Sequence, residues 1–116
     1  MKDKSIEKYM YDVIDSINAI QIFTKDATDF DSFVSSRLLT SAIERELQII
    51  GEAVICALKI KPDLNISEVQ KIKATRNIIV HDYDGINYRI LWDIVNNHLP
   101  ILKREAEAIL NHQTYE

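Results

Sequence analysis

Four side chains able to do chemistry fall within eight residues of this chain. They are Arg76, Asn77, His81 and Tyr83, in the run Arg-Asn-Ile-Ile-Val-His-Asp-Tyr. His81 can take or give a proton near neutral pH. Arg76 presents a planar fork of donors that matches phosphate oxygens. Asn77 can orient an imidazole or a phosphate. These are parts for acid–base chemistry at a phosphate group. On a helix, Asn77 and His81 are four apart and share a face, while Arg76 and Tyr83, seven apart, share another. Arg76 and His81 are five apart, about 140° around an ideal helix. One copy of such a helix does not focus both on one small group, whereas two copies across a symmetric interface could.

Each of these residues also has a plainer reading. His81 can serve as a cation at the C-terminus of its helix. Arg76 falls among apolar neighbours, and a structural ion pair with Glu52 would account for it. Tyr83 can be a core or interface aromatic with its hydroxyl at the rim. His98 lies on an apolar stripe and reads as a satisfied core or interface histidine, and Trp92 as core. No His, Cys, Asp or Glu group has metal-ligand spacing, so no metal is expected. There is no glycine-rich phosphate loop and no nucleophile elbow.

The elements that must position the octet are helical. Ile6, Tyr9, Met10, Val13, Ile14, Ile17 and Ile20 recur at helical spacing and predict a first helix over about 4–24. Phe30, Phe33 and Val34 predict a short helical turn. Ser35 or Ser36 can then cap a long helix reaching about Lys59. Its apolar residues spread over more than one face, as expected of a central or interface helix. Gly51 sits inside it at a cost of about 1 kcal/mol against Ala, which close approach of another helix backbone would explain. Pro62 ends this helix, and Asn65 with Glu68 predicts a capping box for the next. Val69, Ile72, Arg76, Ile79 and Tyr83 form that helix's inward stripe, and Asp84-Gly85 its stop. Ile78-Ile79-Val80 is β-branched, but no partner strand exists elsewhere, so helix is kept. Asn87 can cap a last helix to about residue 112, kinked at Pro100 near the carbonyl of Asn96. Asn111–Glu116 reads as a frayed tail. The predicted fold is all-α, an antiparallel up-down bundle of four main helices plus a short one, in one domain over 1–116.

Composition narrows the function classes. The net charge of −4 leaves no global basic footprint for nucleic acid, so any such contact is local. A single cysteine, Cys56, excludes an intramolecular disulfide and fits a reducing, cytoplasmic setting. No apolar run is long enough for a bilayer, and the N-terminus does not resemble a signal peptide.

Three blocks in order carry a resemblance. The octet has Arg, a polar residue, three more residues, His, then Tyr two further on. Upstream, Ala42-Ile43-Glu44-Arg45-Glu46-Leu47-Gln48-Ile49-Ile50-Gly51-Glu52-Ala53 is similar to an A-x-x-R-x-L-x-x-I-G-E-A block, with its Arg one place early at Arg45. Downstream, Trp92-Asp93-Ile94-Val95 and Leu99-Pro100-Ile101-Leu102 are similar to a last helix. Together they resemble the HepT-like proteins of the HEPN superfamily, the toxin partners of MNT-type minimal nucleotidyltransferases. Val69 stands where relatives carry Trp, and Ala74-Thr75 where Gly-Met is common; these are packing positions. The resemblance implies a two-fold homodimer and a metal-independent ribonuclease with no cofactor. Its catalytic residues would be Arg76, His81 and Asn77, with Glu52 in support. It also implies neutralisation by a nucleotidyltransferase antitoxin that adenylylates Tyr83. The alternative is a non-catalytic subunit of the same shape that binds nucleotide or substrate for a nucleotidyltransferase.

Overall fold

A computed structural model of the chain describes residues 4–81 and 85–115. Six α-helices follow in order: α1 (Lys4–Phe23), α2 (Phe30–Val34), α3 (Arg37–Ile60), α4 (Val69–His81), α5 (Tyr88–Asp93) and α6 (Leu99–Tyr115). A π-helical turn, Ile94–His98, joins α5 to α6 as one bent rod. The predicted all-α bundle of four long rods and a short helix is therefore what forms, and no described residue is in a strand.

The bundle is held by the stripe that periodicity picked out. Met10, Val13, Ile17 and Ile20 of α1 are completely buried, and Ile6 nearly so. Burying five such side chains is worth on the order of 10 kcal/mol before the entropy of ordering them. They pack on α3 and α6, while α4 lies against α3. Phe33 of α2 is completely buried and stacks on Trp92, with ring centroids 5.0 Å apart.

Short polar side chains set the helix boundaries. Ser36 caps α3 by accepting from the Leu39 N–H at 3.1 Å. Asp29 accepts from the Ser32 N–H at 2.8 Å, which holds its carboxyl below the ordinary carboxylate value. Asn87 accepts from the Arg89 N–H, as its position predicted. The start of α4 differs from expectation. The helix begins at Val69, and Asn65 does not cap it. Instead the Ser67 N–H donates to Glu105 Oε2 of α6 at 3.0 Å. Glu68, expected to turn back on its own helix, reaches His98. A carboxylate from across the bundle thus does the work that local spacing suggested for a neighbour.

The expected distortion at Pro100 is the π turn. Proline has no N–H and its ring would collide with the carbonyl four residues earlier, that of Asn96. The chain widens by one residue per turn here, and the Leu99 N–H bonds five back to Ile94 O. Beyond it, α6 extends to Tyr115, past the fraying expected from Asn111. No helix among the described residues is long and apolar enough to cross a membrane.

Candidate active site

The position of Arg76 is decided by a glycine 25 residues earlier in the chain. A Cβ built on Gly51 would lie 2.5 Å from Arg76 Cβ and 2.8 Å from its Cγ. Carbon atoms normally rest about 3.5–4.0 Å apart, so only glycine admits this stem. The expected close approach at Gly51 is therefore made by the arginine's own side chain. This seats the aliphatic part of Arg76 on α3 and explains a cation on an apolar stripe.

The guanidinium emerges beside Glu52. Arg76 Nη2 is 3.9 Å from Glu52 Oε1, at the limit of an ion pair, with side chains 28% and 45% exposed. Arg76 Nη1 donates to Asn77 Oδ1 at 3.2 Å. Arg76 Nε is buried against the helix with no hydrogen-bond partner. Gln48, one turn before Glu52, donates to the same Oε1 at 3.2 Å. Glu52 is thus steadied from its own helix and held only loosely by the arginine. A half-exposed pair of this length contributes about 0–1 kcal/mol. A charge-assisted hydrogen bond contributes about 1.5–3 kcal/mol. The pair with Glu52 is therefore weaker than a charge-assisted hydrogen bond from Arg76 to a phosphate oxygen would be.

His81 closes α4 and is exposed, as is Asn77. Among the described residues no hydrogen bond or ion pair links His81 to Arg76 or Asn77. The structure brings Arg76, Asn77 and Glu52 together, and His81 is not part of that set of contacts. Asn77 serves as an acceptor for Arg76 in place of orienting the imidazole. Tyr83 lies outside the described residues.

Sequence reasoning missed two groups. Gln48 had a readable signal, its four-residue spacing to Glu52. A cleft of about 220 Å³ beside Glu52, lined also by Tyr9, Asp12, Ile49, Ala53 and Cys56, had none, because two distant helices form it. Lys8 meets two of its lining residues, 2.8 Å from Asp12 and 5.2 Å from the Tyr9 ring centroid. The hydrogen bond to Asp12 raises the Lys8 pKa. His98, expected to be satisfied, is: Nδ1 meets Glu68 Oε2, and Nε2 lies 3.1 Å from Asp93 Oδ2.

Comparison with known proteins places this geometry in context. Residues 13–109 match the family described as "Ribonuclease HepT-like". A Methanocaldococcus jannaschii protein named "Putative RNase" is 33% identical over 114 residues, 94% of this chain and 100% of the relative. A second of that name from the same organism is 35% identical over 115 residues, 95% and 91% of the two chains. A Thermococcus cleftensis protein named "Probable ribonuclease HepT" is 28% identical over 110 residues, 91% and 96%. No solved structure matches.

Proposed function

Since this chain belongs to the ribonuclease HepT-like family, we propose that it is an endoribonuclease that cuts RNA by metal-independent acid–base chemistry. The observation that carries this reading is Arg76. It is seated by tertiary contact on Gly51, with its guanidinium partly exposed and loosely paired with Glu52 and Asn77. In the reaction the RNA 2′-hydroxyl attacks the adjacent phosphorus. A new 2′-O–P bond forms and the P–O5′ bond breaks, leaving a cyclic phosphate and a 5′-hydroxyl. One group takes the 2′-hydroxyl proton, another protonates the departing O5′, and Arg76 stabilises the charge gathering on the phosphate oxygens. His81 supplies one proton transfer. A single protomer offers one such histidine, so a two-fold homodimer would supply the second. The exposure of Ile22 and Leu38, at 71% and 84%, supports self-association.

Control is proposed at Tyr83. A nucleotidyltransferase antitoxin would transfer adenylyl from ATP to the phenol oxygen, with pyrophosphate leaving. Tyr83 is two residues from His81, so the added phosphodiester would compete for Arg76 and the adenosine would block the site.

Purified protein should cleave RNA in excess EDTA. His81→Ala should reduce the rate about 10²–10⁴-fold, the usual contribution of a positioned acid or base. Cleavage that survives both His81→Ala and Arg76→Ala would overturn the site. Nucleotide binding without any cutting would favour the non-catalytic partner subunit, a reading to which the net charge of −4 lends some weight. With a cognate nucleotidyltransferase and ATP, adenylyl mass should appear on Tyr83, and Tyr83→Phe should escape inhibition. Modification at Tyr9, Tyr11, Tyr88 or Tyr115 would count against this mode of control.

A further inference from the structure

We infer that the cleft between α1 and α3 is a nucleobase subsite, which selects bases carrying an exocyclic amino group next to the phosphate that Arg76 grips. The inference rests on the ribonuclease reading and names the part of the RNA that the site reads.

The argument starts from size. The cleft measures about 220 Å³, below the roughly 300–1,000 Å³ of pockets that enclose whole drug-sized ligands. A single base suits it better than a complete nucleotide. Its walls are of the kinds that hold bases. Tyr9 is aromatic, Ile49 and Ala53 are aliphatic, and Asp12 and Glu52 bring carboxylate acceptors to the opening. Base–aromatic stacking supplies affinity in single-stranded sites and tolerates any base. The carboxylates supply the choice. An ionised carboxylate only accepts hydrogen bonds, so it favours the amino groups of adenine, cytosine or guanine, as acidic side chains do when they take the cytosine N4 amino group. Uracil has no amino group, and its one edge donor, N3–H, is flanked by two carbonyl oxygens that these acceptors repel, so it is held less well.

Charge does not oppose this use. Asp12 is paired with Lys8 at 2.8 Å, and Glu52 faces Arg76 at 3.9 Å. Each acid has a basic partner in the free protein, and when a phosphate takes Arg76 from Glu52 the Gln48 amide stays on Oε1 and the amino group of the base becomes the carboxylate's new donor. Glu52 links the two parts of the site. Gln48 and Arg76 both meet its Oε1, while the residue itself lines the cleft. A strand whose phosphate replaces Glu52 as the partner of Arg76 would place a neighbouring base beside Tyr9, and the freed carboxylate would face that base.

Two experiments test this, and they separate the subsite from the ribonuclease reading. The first uses Cys56, the sole cysteine, which lines the cleft and is partly buried. Adenosine, cytidine or guanosine monophosphate should slow maleimide labelling of Cys56 about tenfold more effectively than uridine monophosphate, and inorganic phosphate should not slow it. The second maps cut sites on an RNA of mixed sequence. Wild-type protein should avoid uridine on one side of the cut by about tenfold. Asp12→Asn, whose amide offers a donor to a carbonyl, should shrink that bias, measured among the cuts it still makes, to about threefold or less. Equal labelling with all four nucleotides, or an unchanged bias in Asp12→Asn, would overturn the subsite and leave the ribonuclease reading intact. Selective protection of Cys56 in a protein that never cuts would uphold the subsite and overturn the ribonuclease reading.

Discussion

Two charged clusters in this molecule are built from similar residues and behave in opposite ways. Around His98, each ring nitrogen faces a carboxylate, Glu68 on one side and Asp93 on the other, and Lys71 Nζ lies 3.4 Å from Nε2. Asn97 donates to Asp93 at 2.6 Å and, more than His98, holds its carboxyl below the ordinary value. The cluster ties the start of α4 to the π turn. Around Arg76, the ion pair is 3.9 Å long, the one short hydrogen bond goes to the neighbouring Asn77, and Nε is buried without a partner. One cluster has committed its donors and acceptors to holding the bundle together. The other has kept a cation fixed at its stem and only loosely paired at its tip. That combination suits a group meant to meet a ligand.

The contrast can be broken by mutation. The largest expected effect is Arg76→Ala, which should lower RNA cleavage at least about 10²-fold with little change in thermal unfolding. If melting falls steeply as well, the two clusters are not different in kind. Gly51→Ala comes next. The added methyl should raise helix propensity by up to about 1 kcal/mol and cost about 1–3 kcal/mol in overpacking. Stability should therefore fall by about 0–2 kcal/mol, while displacement of the Arg76 stem lowers kcat about 10-fold or more. Unchanged kinetics would mean that the seat does not matter. His98→Leu should do the reverse, lowering the melting temperature by several degrees and leaving cleavage per folded molecule within about threefold of wild type.

The smallest effect is on alkaline stability. Burial, and then the 3.0 Å hydrogen bond to Glu44, raise the Tyr88 pKa above its ordinary value. A raised folded-state pKa favours the folded chain below the unfolded value of about 10 and loses that advantage as pH climbs through the folded value. Denaturant midpoints for wild type should therefore fall more steeply above about pH 10 than those of Tyr88→Phe. Parallel curves would exclude the contribution.

The same contrast explains what could be read from sequence. The helices were legible because their signals are local: the Ile6–Ile20 stripe, Ser36 and Asn87 as caps, and Pro62 and Pro100 as breaks. The Arg76–Glu52 pairing was legible because both residues stood out, one a charge on an apolar stripe and the other beside an unexplained glycine. The cap on α4 was misread because Glu105, 38 residues from Ser67, outcompetes Asn65. Its spacing leaves no trace in sequence. The Tyr9–Asp12–Glu52 cleft was invisible for the same reason, since it exists only once α1 lies on α3.

The contact between Gly51 and Arg76 also makes the site depend on the docking of two helices. The arginine belongs to α4 and its seat to α3, so neither helix alone can present the guanidinium correctly. A fragment that stops before residue 76 lacks the cation, and the isolated α4 lacks the surface that steadies it. Activity should therefore be absent from nascent or clipped chains and should appear, in a refolding time course, only as α3 and α4 dock.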